Sequence, residues 1–133
     1  MVSGEPDIDW RTSDRRAPDP RDLQGRVYAN LGSWNGEQIV PVGWIRESTS
    51  GHPVDNPGGD PYGYLWRIIP ADAGLGYGFY HTGLGVHLLA ILPEADLVVV
   101  HRVDTDRPFD TTWGEIRTLL EMVLNGLGLL PPA

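Results

Sequence analysis

The chain predicts a layered α/β fold of the α+β type, an antiparallel sheet of at least three C-terminal strands flanked by helices. Three observations carry this. Residues 76–103 contain the apolar runs "GYGFYHTG" (76–83), "VHLLAIL" (86–92) and "LVVVHRV" (97–103), separated by turn signals. The last two runs do not alternate apolar with polar residues, so both sheet faces must be covered. Apolar residues at helical spacing lie before and after this region, at 23–31 and 116–127.

In chain order, residues 1–18 are polar, charged and proline-containing, and read as a poorly ordered lead-in. A single domain then runs over 19–133. In "DPRDLQGRVYANLG", Asp19 can cap a helix, Pro20 suits its first position and Asp22 its positive end. Leu23, Val27 and Leu31 form one stripe, and Gly32 ends it. Gly25 is out of place inside such a helix. Asn35-Gly36 in "SWNGEQIVP" signals a turn, and Pro41 opens a short helix over "PVGWIRESTS". "GHPVDNPGGDP" is a loop. The aromatic and β-branched run "YGYLWRII" (62–69) predicts a strand. Pro93 and Asp96 turn the chain in "PEAD". Thr112 to Glu115 has the capping-box spacing, opening a helix whose stripe is Ile116, Leu119, Leu120, Val123, Leu124 and Leu127. Gly126, Gly128 and Pro131-Pro132 stop it.

Composition narrows function. The formal net charge of −8 argues against a phosphate-binding surface, so no nucleic-acid partner is expected. There are no cysteines, hence no disulfide and no thiolate metal site. Residues 1–20 lack the apolar run of a signal peptide, no stretch has the length of a membrane span, and localisation is not readable. All ten basic residues are arginine, so no lysine amine can act as base or Schiff-base former.

Several residues invite chemistry and have plainer readings. His52, His81, His87 and His101 match no ordinary zinc spacing, and no metal or cofactor is assigned. Ser48 and Ser50 lie near His52, but neighbours in a loop rarely acquire triad geometry. Asp55, Asp60, Asp104 and Asp106 sit in loops with no sign of the burial that paired-carboxylate chemistry requires. Trp34, Trp44 and Trp66 read as core anchors.

Two stretches together resemble the serine β-lactamase-related family, which includes class C β-lactamases, D-Ala-D-Ala peptidases and related esterases. Arg21-Asp22-Leu23, then Gly32-Ser33-Trp34-Asn35-Gly36-Glu37-Gln38-Ile39, then Trp44 follow the family's order. "YGYLWRI" is similar to its Tyr-Gly-Tyr-x-Trp strand, and "HTGLGVHLLAILPEADLVVVHRV" to its closing strands. The resemblance covers residues 20–125. The family's third catalytic motif, Lys-Thr-Gly or His-Thr-Gly, sits twelve residues before a turn proline, and His81 lies twelve residues before Pro93.

The resemblance implies a partial penicillin-binding-protein/β-lactamase-like fold. His81, Thr82 and Gly83 would line a cleft on an edge strand, and the Leu84 N–H would face an oxyanion. Tyr28-Ala29-Asn30 matches the family's Tyr-x-Asn motif in letters, but its place at a helix end reads as packing and capping. The family's chemistry is acyl transfer from a small ester or amide to water, without a cofactor, and it needs a Ser-x-x-Lys nucleophile motif. This chain has no lysine. The expectation is therefore a C-terminal part of such a hydrolase, inactive alone, whose partner is the missing N-terminal half or, through the Leu97–Val103 edge, a second copy. Two other classes stay open. One is a non-catalytic interaction domain that binds a partner through an uncovered sheet. The other is an independent hydrolase with a local Ser–His pair.

Overall fold

The computed structural model describes residues 20–52 and 60–130. The lead-in over 1–18, the Asp19 cap, Asp55 and the Pro131-Pro132 stop lie outside the described residues. The fold is α+β. Helix α1 (Pro20–Ala29) leads into a small hairpin of β1 (Ser33–Trp34) and β2 (Glu37–Gln38), then helix α2 (Val42–Ser48). Strands β3 (Arg67–Ile69), β4 (Gly78–Gly83), β5 (His87–Leu92) and β6 (Leu97–His101) follow, and helix α3 (Trp113–Gly126) closes the order. The main sheet is antiparallel and in sequence order, β3-β4-β5-β6.

Strand β5 is the spine of the core. Leu88 through Leu92 are all buried. Alternation sends Leu88, Ala90 and Leu92 to the face covered by Ile116, Leu120 and Leu124 of α3. Leu89 and Ile91 face the other way, in a cluster with Trp66, Ile68, Phe79 and Tyr28 of α1. Both sheet faces are covered, as the uninterrupted apolar runs demand. Each fully buried leucine or isoleucine contributes roughly 1.5–3 kcal/mol relative to exposure.

Local chemistry sets the element ends. The Asn35-Gly36 turn has positive φ at both residues (49° and 81°), the geometry of a two-residue hairpin loop. The Thr112 hydroxyl accepts from the Glu115 N–H, and the Glu115 carboxylate accepts from the Thr112 N–H, a complete capping box. Helix α3 stops as the Gly128 N–H donates to Asn125 and the Leu129 N–H to Leu124, with Gly128 left-handed.

Several expectations need correction. The 62–69 strand shrinks to Arg67–Ile69. Gly63 donates to the Trp66 carbonyl and Tyr64 to that of Ser48, so 63–66 is a turn seated on the end of α2. Leu65, at the tip of that turn, has φ 65° and is 85% exposed. Leu31 is not on the α1 stripe. It takes the left-handed position after the helix, its N–H donating to Tyr28, and is 45% exposed. Trp44 is not a core anchor, being 49% exposed, and Trp34 is only half-buried; Trp66 alone of the three is fully in the core. The α3 stripe narrows to Ile116, Leu120 and Leu124, spaced four apart, with Leu119 and Leu127 exposed. The last strand ends at His101 rather than Val103.

Candidate functional site

Strand β4 carries His81 to the end of the sheet. Its pairing with β3 runs only over Gly78, Phe79 and Tyr80. Beyond Tyr80, β4 continues against β5 alone, with His81 opposite Leu89, Thr82 opposite Leu88 and Gly83 opposite His87. His81–Gly83 therefore present a backbone edge on the β3 side that no described strand covers. The strand's alternation puts His81 on the same face as Phe79 and Trp66, and Thr82 on the face of Tyr80.

His81 is half-buried and lies against Trp66, ring centroids 5.0 Å apart. Both line an open cleft of about 410 Å³ with Gln24 and Tyr28 of α1, Trp44 and Ser48 of α2, and Tyr64 and Leu65 of the turn. Tyr28 meets Trp66 at 4.9 Å, and Trp44 meets Tyr64 at 5.6 Å, so the cleft has two aromatic walls. Thr82, Gly83 and Leu84 are exposed and outside this lining. Leu84 opens a short 3-10 turn after β4.

The walls are tied together by backbone. The Tyr64 N–H donates to the Ser48 carbonyl at 2.8 Å, and the Tyr64 hydroxyl donates to Glu47 Oε1 at 2.9 Å. That bond to Glu47, with the carboxylate's charge, holds the Tyr64 phenol above its ordinary range. Tyr77 adds a bond from its hydroxyl to the Thr49 carbonyl.

The Ser–His idea near residue 50 does not take shape. The Ser48 hydroxyl donates to the Ile45 carbonyl and that of Ser50 to the Arg46 carbonyl. His52 turns Nε2 onto the Glu47 carbonyl and stacks on Tyr64 at 4.6 Å. His101 meets the Val86 carbonyl through Nδ1. Among the described residues, no three His, Asp or Glu side chains converge as metal ligands. Asp104 pairs with Arg107 and accepts from the Asp106 N–H, both in an exposed loop. Asp60 differs from the open-loop reading: it is half-buried and accepts from the buried Tyr80 hydroxyl at 2.7 Å.

Sequence reasoning singled out His81, which the structure places in this cleft, but it did not identify the wall opposite. Trp44 lies one residue before buried Ile45 and one turn before buried Ser48, at the border of the buried α2 face, so helical spacing alone does not decide between core and cleft. Nothing in "YGYLW" reveals that Leu65 takes a positive φ. No helix among the described residues is long and apolar enough to cross a membrane. No protein-family model matches the chain, and no curated protein does.

Proposed function

We propose that this chain is the C-terminal sheet-and-helix part of a serine β-lactamase-related hydrolase and supplies one wall of its acyl-transfer cleft. The observation that carries the reading is His81 in a concave site at a strand edge that no described strand covers, the residue that the sequence resemblance matches to the family's His-Thr-Gly motif. A strand edge of this kind can align an extended ester or amide by backbone hydrogen bonds. The His81 imidazole can donate to the substrate beside it, and the aromatic walls exclude water from its apolar portion. The nucleophile and its lysine come from an N-terminal part carrying Ser-x-x-Lys. This chain has no lysine, so alone it forms no acyl-enzyme by that route.

A covalent serine probe separates the readings. The hydrolase part gives labelling only when a Ser-x-x-Lys-bearing N-terminal part is joined ahead of Pro20. An interaction domain is never labelled. An independent hydrolase is labelled as this chain alone, which would overturn the proposal.

A further inference from the structure

We propose that the cleft beside His81 holds the quaternary ammonium group of a small organic cation against the rings of Trp44, Tyr64, Trp66 and Tyr28. The inference goes beyond the hydrolase reading and does not rest on it. It concerns what the aromatic walls bind, and no acyl chemistry enters its test.

The cleft shows its rings instead of burying them. Trp44 is 49% exposed and Tyr64 is 41% exposed, although the two rings lie only 5.6 Å apart. Apolar surface left grouped in one concavity is the mark of a binding site. The volume of about 410 Å³ suits a small ligand. Both ring pairs are tilted, Trp44–Tyr64 by 42° and Tyr28–Trp66 by 54°, so neither pair hides its faces by stacking. His52, outside the lining, stacks on Tyr64 at 4.6 Å and 9° and holds that ring in place.

The walls are fixed by backbone. The Tyr64 N–H donates to the Ser48 carbonyl, which pins the turn to α2, and the Gly63 N–H donates to the Trp66 carbonyl, which closes it. Leu65 takes φ 65° at the tip, a strained conformation for a bulky side chain. Such strain persists where the surrounding structure enforces it, and ligand clamps are among those places. Rings held this way lose little freedom when a ligand enters.

The electrostatics select a cation. An aromatic face carries negative potential and attracts a positive charge placed over it. Among the described residues, no arginine and no carboxylate lines the cleft. The charge bonded to its wall is the Glu47 carboxylate, which accepts from the Tyr64 hydroxyl at 2.9 Å and makes that ring more electron-rich. An anion would meet ring faces and Glu47 with no counter-charge. A neutral apolar group would gain burial alone, whereas a trimethylammonium group gains burial and the attraction of the rings. A primary ammonium is strongly hydrated, and ring faces replace little of that hydration. The formal net charge of −8 draws cations towards the chain as a whole.

The test titrates the purified chain with choline and with its neutral isostere, in which a tert-butyl group replaces the trimethylammonium, and follows the indole N–H signals by nuclear magnetic resonance. Choline is expected to saturate at millimolar concentration or below. It should shift the signals of Trp44 and Trp66 and leave that of Trp113, which packs on the other sheet face, in place. The isostere should bind at least about tenfold more weakly. Trp44→Leu keeps apolar bulk but removes the ring, and should weaken choline about fivefold. Circular dichroism confirms that the variant folds. If it does not, Glu47→Gln replaces it, keeping the acceptor for Tyr64 while removing the charge, and should weaken choline at least about twofold. No saturable choline binding, equal binding of the isostere, shifts that reach Trp113 equally, or an unchanged affinity in the folded variant would overturn the inference.

Discussion

Gly25 of α1 sits against Val98 of β6 so closely that a Cβ built on it would lie 2.5 Å from Val98 Cγ1 and 3.1 Å from Leu89 Cδ1. The glycine that looked misplaced in the helix is what lets α1 lie on the sheet. Gly25→Ala should destabilise the fold. Helix propensity gains about 1 kcal/mol, but the overpacking costs about 1–3 kcal/mol and Val98 has a stiff χ1. A denaturant midpoint falls in Gly25→Ala and partly recovers in Gly25→Ala/Val98→Ala, since the two sites are coupled.

The cleft depends on a second close approach. A Cβ on Gly63 would lie 2.1 Å from the Ser48 carbonyl oxygen and 3.0 Å from that of Ser50. Those atoms are backbone and cannot swing aside. Gly63→Ala should cost at least about 3 kcal/mol, the upper end for overpacking. It should also separate Tyr64 from α2. Tryptophan fluorescence and the melting temperature should both change; an unchanged melt would show that the turn is not held against α2.

Tyr80 makes stability fall at alkaline pH. Burial, then the hydrogen bond to Asp60 and its charge, pushes the phenol far above its ordinary value of 10.0. The folded state holds this proton more tightly than the unfolded chain. Its contribution is complete below pH 10 and is lost as pH rises beyond it. Melting temperatures from pH 8 to 11 should drop more steeply in the wild type than in Tyr80→Phe. Equal slopes would remove Tyr80 as the cause.

The α3 stripe gives a contrast between neighbours. Leu120 is 0% exposed and Leu119 is 42% exposed. Leu120→Ala should cost about 2–5 kcal/mol. Leu119→Ala should cost clearly less, as a partly exposed leucine has less area to lose. Urea melts of the two variants check the difference.

Strand and helix positions in the second half were legible because continuous apolar runs, turn residues and the Thr112–Glu115 spacing all agree. The covered second face was legible from the lack of alternation. The turn at 63–66 was not, since aromatic content predicts strand while the backbone bonds to α2 are tertiary. His81 was singled out through the family resemblance, by its distance to Pro93. The wall facing it is built from α1, α2 and that turn, and no local pattern brings them together.

The measurement that bears most directly on the hydrolase reading is turnover of a short-chain nitrophenyl ester. It compares this chain alone with the same chain joined to a Ser-x-x-Lys-bearing N-terminal part, each with His81 and with His81→Ala. The account predicts no turnover by the chain alone beyond its His81→Ala control. The joined protein should turn over and lose about a hundredfold in His81→Ala, the scale of removing one stabilising donor. Turnover by the chain alone that His81→Ala abolishes, or a folded, active joined protein indifferent to His81, would contradict it.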